Sequence, residues 1–79
     1  MFKTALVTGG NGNLGRLVAQ NLEAMGTRVV SFDLPGSEGP HCDPRHAVVL
    51  GDMRDQSLLE DMLVAYKPDM VIHLASMLS

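Results

Sequence analysis

The chain has 79 residues, which allows at most one small domain, and its composition is globular, with 46% hydrophobic and 19% charged residues. A formal net charge of −3 and six scattered basic residues argue against a nucleic-acid or anionic-membrane surface. Cys42 is the single cysteine, so no internal disulfide can form. Without a signal-like N-terminus or an apolar run of roughly 18 residues, the chain is expected to be cytoplasmic.

The chain begins with a strand, a glycine-rich loop and a helix. The segment Lys3–Thr8 contains the apolar run Ala5-Leu6-Val7, which is typical of a strand covered on both faces. Gly26 stands where a glycine that ends a helix is expected. Helical spacing from Asn13 predicts an apolar stripe of Leu14, Leu17, Val18, Leu22 and Met25, with Arg16, Gln20 and Glu23 facing away.

Two further strands follow, joined by a loop. Arg28–Phe32 reads as the second strand and ends at Asp33. Leu34–Arg45 is rich in proline and glycine, which predicts an extended crossover loop. Ala47–Leu50 reads as the third strand.

A second helix and a fourth strand complete the pattern. Asp55 is a suitable N-cap, and Lys67-Pro68 stops the helix because proline cannot continue it. The segment Met70–Ala75 reads as the fourth strand. The order β-α-β-loop-β-α-β predicts an α/β protein with parallel strands and right-handed crossovers. The predicted apolar stripe of the second helix consists of Leu58, Leu59, Met62 and Leu63.

Three glycines at G-x-x-G-x-x-G spacing lie between the first strand and the first helix. This context is the one that a phosphate-binding glycine loop requires. Gly9 would allow a tight turn, Gly12 a close approach of backbone N–H groups to a pyrophosphate, and Gly15 close packing of the helix on the strand. A glycine-rich turn without a ligand is the alternative, and it has little need for three spaced glycines.

Acidic residues follow two neighbouring strands. Asp33 can accept hydrogen bonds from the adenosine ribose and would repel a 2′-phosphate, which favours NAD over NADP. Asp52 could bind the adenine amino group while Met53 covers the ring, although Asp52 could equally be a turn residue. At the end of the fourth strand, Ser76 could donate a hydrogen bond to the cofactor or simply end the strand.

Several polar residues have simpler interpretations. The spacing of His41, Cys42, Asp43 and His46 matches no common structural zinc pattern, so a plain polar loop without a metal is expected. His73 is expected to be a hydrogen-bonded core histidine, and the methionines at 25, 62 and 70 to lie on core faces. Arg54 is assigned to a solvated or ion-paired surface position.

The run Thr8–Gly15 resembles the cofactor loop of the extended short-chain dehydrogenase/reductases, the NAD-dependent epimerase/dehydratase family. Asp33, Gly51–Asp55 and Lys67–Ala75 are similar to further motifs of that family, in the same order. The resemblance covers nearly the whole chain. It implies a Rossmann-type doubly wound parallel sheet of which residues 1–79 form the N-terminal part, with four strands in the order 3-2-1-4.

The resemblance also implies roles for individual residues. Backbone groups of Asn11–Leu14 would hold the pyrophosphate, Asp33 the adenosine ribose, Asp52 and Met53 the adenine, and Leu74–Ser76 would line the nicotinamide half. The expected NAD-binding set is Gly9, Asn11, Gly12, Asn13, Leu14, Gly15, Asp33, Asp52, Met53, Leu74, Ala75 and Ser76.

Members of this family carry a catalytic Ser/Thr and a Tyr-x-x-x-Lys pair beyond the fourth strand, which these 79 residues lack. We therefore expect the NAD-binding part of a longer oxidoreductase, epimerase or dehydratase, inactive alone, with a sugar-type substrate. The tail His73–Ser79 is similar to sugar-acid dehydrogenases of the family. The longer protein is expected to be a homodimer that binds neither nucleic acid nor membrane. The alternatives are a non-catalytic NAD-binding module or redox sensor, and a fragment that pairs with another chain through its fourth strand.

Overall fold

The computed structural model describes residues 3–36 and 45–74. The elements are β1 (Thr4–Thr8), α1 (Asn13–Ala24), β2 (Arg28–Asp33), β3 (Ala47–Leu50), α2 (Gln56–Tyr66) and β4 (Met70–His73). The four strands form one parallel sheet in the order β3-β2-β1-β4. This order confirms the Rossmann-type sheet expected from the sequence.

The strand register brings the carboxyl ends of all four strands to one edge of the sheet. Thr8 at the end of β1 pairs with Phe32 of β2 and with His73 of β4. Asp33 at the end of β2 pairs with Leu50 at the end of β3. Loops that follow these strands therefore meet at one edge, where ligands bind in open α/β sheets.

Helix α1 ends in a glycine-dependent motif that the sequence predicted. Gly26 adopts φ 91°, a left-handed conformation that favours glycine. Its N–H donates to Glu23 O at 3.0 Å, and Thr27 N–H donates to Leu22 O at 3.0 Å. These two bonds satisfy carbonyls that the end of the helix would otherwise leave open.

The predicted apolar stripe of α1 is wrong for three of its residues. Leu14, Leu17 and Met25 are 61%, 57% and 57% exposed. The helix instead places small residues on its inner face: Gly15 lies against the loop that follows β1, and Ala19 is buried against the sheet. The buried cluster on this face comprises Ala5, Val7, Ala19, Leu22 and Val29, with Val18 packed against it.

Helix α2 covers the opposite face of the sheet. Asp55 caps it as predicted, since its carboxylate accepts from Leu58 N–H at 3.1 Å. Met62 is buried, as its place in the predicted apolar stripe requires. Leu63 was predicted to belong to the same stripe, but it is 45% exposed, so the prediction is wrong for this residue. The cluster on this face comprises Leu6, Val30, Phe32 and Met62, with Leu58 and Leu59 packed against it.

The outer strand β4 ends at His73, earlier than the predicted range Met70–Ala75. Leu74 still donates its N–H to Thr8 O at 3.0 Å and so remains attached to β1. In the two described ranges, the helices are too short and too polar to cross a membrane.

Candidate functional site

The loop between β1 and α1 is a tight turn with its own hydrogen bonds. Gly9 has φ 72°, and its N–H donates to Phe32 O at 2.7 Å, which anchors the loop on β2. Gly12 N–H donates to Gly9 O at 3.2 Å, and Arg16 N–H to Gly12 O at 2.9 Å. A residue with a side chain would be strained at position 9, so Gly9 makes the turn that was predicted for it.

Two other glycines are required by close packing. A β-carbon at Gly15 would collide with Gly9 O and lie 2.6 Å from Gly10 Cα, so α1 begins directly against the loop rather than against the strand. Gly10 was missed by the sequence analysis. A β-carbon there would lie 2.5 Å from Ser31 Oγ and 3.0 Å from Val7 O. The pair of adjacent glycines in the sequence is the signal that could have indicated it.

Gly12 is different, because the fold does not require a glycine at that position. Its backbone angles, φ −76° and ψ 174°, suit any residue. A β-carbon at Gly12 would make only an ordinary contact, 3.5 Å from Gly9 O. The residue is exposed at the mouth of the loop. A glycine at this position therefore keeps the solvent side of the loop open, whereas Gly10 and Gly15 avoid collisions within the protein.

The N-terminus of α1 opens beside Gly12. Asn13 and Leu14 are exposed, and no described side chain caps the helix or places an acidic group in its first turn. The N–H groups of a first helical turn have no partner within the helix and favour an anion. Two neighbouring N–H groups are already used, since Asn11 donates to Asp33 and Gly12 to Gly9. Asn13 and Leu14 are therefore the available donors of the predicted run.

Asp33 lies beside the loop and is bonded to it. Its Oδ2 accepts from Asn11 N–H at 3.0 Å, and its Oδ1 accepts from Leu34 N–H at 2.8 Å. On the other side, Arg16 Nε donates to Asn11 O at 2.8 Å. The peptide groups of Asn11 are thus held from both sides. Because a carboxylate has about four acceptor positions, Asp33 can still accept from a ligand hydroxyl.

Asp52 and Met53 follow β3 at the same edge. Gly51 N–H donates to Asp33 O at 2.9 Å, which places this turn beside the end of β2. Met53 packs partly against the core on the α2 face. The side chain of Asp52 is 45% exposed and forms an ion pair with Arg54, with Nη2 to Oδ2 at 2.7 Å. Hydrogen bonds from Arg54 lower the pKa of Asp52 to about 2, so the carboxylate is ionised at neutral pH.

On the other side of β1, Thr8 joins the ends of two strands. Its Oγ1 lies 2.7 Å from His73 Nδ1 and accepts from Leu74 N–H at 3.1 Å. His73 is hydrogen-bonded as predicted, but it is exposed rather than in the core, because β4 is the outer strand of the described sheet. Leu74 lies at this edge, whereas Ala75 and Ser76 fall outside the described residues.

His46 lies in the irregular segment before β3, as predicted, but its side chain is not exposed as in a plain polar loop. Its imidazole is fully buried, with Nδ1 2.8 Å from Glu23 Oε2 and Nε2 2.9 Å from Ser31 Oγ. Glu23, predicted to face away from the core, has a side chain that is only 11% exposed. The three residues tie α1, β2 and the start of β3 together. Ser31 is fully buried, so this network is closed to a substrate.

The other members of the predicted polar loop, His41, Cys42 and Asp43, fall outside the described residues. Within the described ranges, no group of three potential metal-ligating side chains occurs.

The arrangement is an edge with distinct recognition groups. An open helix N-terminus beside Gly12 suits a phosphate, while the Asp33 and Asp52 carboxylates suit hydroxyl and amino donors. Thr8 and Leu74 border the loop on its β4 side. Such a combination, at the point where strand order reverses in the sheet, is the usual dinucleotide crevice of doubly wound folds.

Solved structures with the same fold were found. The enzyme WbmG of Bordetella bronchiseptica, crystallised with NAD and UDP, is 26% identical over 95% of this chain, with a TM-score of 0.82. The epimerase Mth375 of Methanothermobacter thermautotrophicus is 31% identical over 98%, with a TM-score of 0.84. UDP-glucose 4-epimerase of Thermotoga maritima, solved with UDP-glucose, is 27% identical over 96%, with a TM-score of 0.82.

This chain spans about a quarter of the length of those relatives: 25% of WbmG, 24% of Mth375 and 25% of the Thermotoga enzyme. The search of the curated proteins gave no match. The family model described as the NAD dependent epimerase/dehydratase family matches residues 5–79. This match confirms the family expected from the glycine loop and the motifs that follow it. The chain belongs to the NAD dependent epimerase/dehydratase family.

Proposed function

We propose that the chain is the N-terminal NAD-binding part of an enzyme that transfers a hydride to or from a sugar or sugar-acid derivative. The observation that supports this most is Gly12. It is exposed beside an open helix N-terminus, and neither its backbone angles nor its neighbours require a glycine. A bound pyrophosphate does require one, because it must approach the backbone at this position.

Each part of the dinucleotide has a partner in this proposal. The N–H groups of Asn13 and Leu14 bind the pyrophosphate, and the loop of Gly9, Asn11 and Gly15 holds them in position. The Asp33 carboxylate accepts from the ribose hydroxyls of the adenosine. Because this carboxylate is also close to the position of a 2′-phosphate, NAD is favoured over NADP.

The two ends of the cofactor are bound by neighbouring loops. Asp52 accepts from the adenine amino group, and Met53 lies against the ring. Leu74, with Ala75 and Ser76, lines the nicotinamide half. Bound NAD supplies the hydride acceptor, and these residues bind and orient it.

The substrate class in this proposal is inferred from relatives in the same family. Of the relatives named above, WbmG was solved with NAD and UDP and the Thermotoga enzyme with UDP-glucose, which supports a sugar-type substrate. The tail His73–Ser79 is similar to sugar-acid dehydrogenases such as D-erythronate dehydrogenase. We assign no catalytic residue to this chain, and we propose that the longer protein is a cytoplasmic homodimer that supplies the Tyr-x-x-x-Lys pair.

The second candidate is a non-catalytic NAD-binding module or redox sensor, which would use the same cofactor groups of this chain. Tyr66 is the single tyrosine of the chain, and it packs against the core of the α2 face, with the Arg28 guanidinium 5.3 Å from its ring centre. Both candidates therefore assign Tyr66 to packing rather than to catalysis. Two findings would distinguish the enzyme from the module. The longer protein would contain a Tyr-x-x-x-Lys pair, and it would lose turnover when that tyrosine is replaced by phenylalanine.

Calorimetric titration of the intact protein tests the cofactor directly. NAD should bind saturably at one site, and NADP should bind more weakly. Absence of NAD binding, or tighter binding of NADP, would contradict the assignment. Hydride transfer is tested by the absorbance of NADH on addition of sugar acids, polyols or nucleotide sugars.

A further inference from the structure

The turn after β3 contains an ion pair that connects no separate elements. Arg54 makes four hydrogen bonds to Asp52: its N–H to Oδ1 at 2.8 Å, its Nε to Oδ1 at 3.1 Å and to Oδ2 at 3.2 Å, and its Nη2 to Oδ2 at 2.7 Å. The two residues are only two positions apart. The Arg54 side chain is 90% exposed.

These features argue against a role in stability. An exposed ion pair contributes little to folding, because water screens it and two side chains must be ordered to form it. A pair within one turn also closes no contact between distant parts of the chain. The geometry nevertheless fixes the carboxylate closely, since the backbone N–H and the planar guanidinium hold it from two directions.

The four contacts are divided equally between the two carboxylate oxygens. Oδ1 accepts the backbone N–H at 2.8 Å and Nε at 3.1 Å, and Oδ2 accepts Nη2 at 2.7 Å and the same Nε at 3.2 Å. Because Nε shares one N–H between both oxygens, only three N–H groups occupy the carboxylate, which has about four acceptor positions. The carboxylate therefore keeps acceptor capacity for a ligand donor.

We propose that Arg54 is a positioning residue for adenine recognition: it holds the Asp52 carboxylate in one orientation, in which the carboxylate accepts from the exocyclic amino group of the base. This inference rests on the proposed NAD site and adds to it the group that orients Asp52. Arg54 does not touch the dinucleotide in this arrangement. Its effect reaches the base through the carboxylate alone.

A change of the base isolates this contact. Nicotinamide hypoxanthine dinucleotide differs from NAD only at one edge of the base, where a carbonyl oxygen replaces the amino group and N1 carries a proton. A fixed carboxylate accepts from the amino group and repels the carbonyl oxygen. The wild-type protein should therefore prefer NAD by about tenfold, the value of one charge-assisted hydrogen bond.

The experiment measures the Kd of both dinucleotides by calorimetry for wild type, Arg54→Ala, Arg54→Lys and Lys3→Gln. In Arg54→Ala the carboxylate can rotate, so the preference for NAD should fall to about two- to threefold. Arg54→Lys keeps the charge but not the planar guanidinium, so its preference for NAD should lie between those of wild type and Arg54→Ala. Lys3→Gln removes one exposed positive charge at the opposite end of β1 and should keep the wild-type preference.

A double variant tests whether Arg54 acts through Asp52. In an Asp52→Asn background, Arg54→Ala should change the preference no further. Unchanged unfolding midpoints in urea would show that the variants fold as wild type.

The proposal would be overturned if Arg54→Ala or Arg54→Lys preferred NAD over the hypoxanthine dinucleotide as strongly as wild type does. It would also be overturned if Arg54→Ala still changed this preference in the Asp52→Asn background. Failure of wild type to bind NAD at all would instead refute the proposed function, so the two failures are distinguishable.

Discussion

Two alanine substitutions in one loop separate the glycine that a ligand needs from the glycine that the fold needs. At Gly12, a methyl group would lie 3.5 Å from Gly9 O, an ordinary contact, and the backbone angles suit alanine. Alanine is a poorer helix N-cap than glycine by about 0.5–1 kcal/mol, and it loses less entropy on folding by about 0.4–1 kcal/mol. We therefore expect Gly12→Ala to change the free energy of unfolding by less than about 1 kcal/mol.

At Gly15, the same substitution meets backbone atoms that cannot move independently. The added methyl group would collide with Gly9 O and lie 2.6 and 2.8 Å from Gly10 Cα and carbonyl carbon. Such overpacking costs about 3 kcal/mol at its upper range, and the better helix propensity of alanine offsets about 1 kcal/mol. Gly15→Ala should thus destabilise the protein by about 2 kcal/mol.

Urea unfolding and NAD calorimetry on both variants complete the comparison. Gly12→Ala should unfold like wild type but bind NAD at least about tenfold more weakly, because its methyl group occupies the path of the pyrophosphate. Wild-type affinity in Gly12→Ala, or an equal loss of stability in both variants, would refute the distinction.

Three further predictions concern the groups around the loop. Asp33→Ala should weaken NAD binding about tenfold and reduce the preference over NADP. Asp33→Asn, which can still accept from the loop, should mainly improve NADP binding, and unchanged Kd values for both would contradict the ribose role. His46→Ala leaves Glu23 without its imidazole partner and should lower the free energy of unfolding by about 2–4 kcal/mol, so an unchanged urea midpoint would count against the buried network. The Asp52 carboxyl should titrate near pH 2 by NMR. The pKa of Asp52 in the folded protein lies below the ordinary value of about 3.9. The contribution of its ion pair with Arg54 to stability is therefore complete above about pH 3.9 and is lost as the pH falls towards 2. If the midpoint of the Asp52 titration stayed the same in Arg54→Ala, the hydrogen bonds from Arg54 would not be the cause of the lowered pKa.

The sequence predicted the parts of the fold that local pattern determines. The strand Ala47–Leu50, the cap at Asp55 and the glycine after α1 were found at the predicted positions. Parallel pairing followed from the alternation of strands and helices, whereas the strand order 3-2-1-4 was implied by the family resemblance. The positions of the glycine turn after β1 and of Asp33 at the end of β2 were predictable, because their spacing reflects one strand–helix–strand unit.

The buried face of α1 could not be predicted from hydrophobic spacing. That pattern selects large apolar residues such as Leu14 and Leu17, whereas close approach to the loop and the sheet selects small ones such as Gly15 and Ala19. Close packing is a property of the assembled layers, so it is visible only when the opposing strands are in place.

Long-range polar contacts were likewise invisible in the sequence. His46 meets Glu23 and Ser31 across 23 and 15 positions of the chain. The hydrogen bond from Asn11 to Asp33 spans 22 positions. No local spacing encodes such pairs, because they depend on the register of neighbouring strands.

Binding of NAD at the glycine loop can be observed residue by residue when the intact, isotope-labelled protein is titrated with NAD and its amide NMR shifts are followed. We expect saturable binding of NAD that is tighter than that of NADP, with the largest shifts at Gly12, Asn13 and Leu14 and further shifts at Asp33 and Asp52. Absence of saturation, or shifts confined to residues away from the carboxyl edge of the sheet, would contradict this expectation.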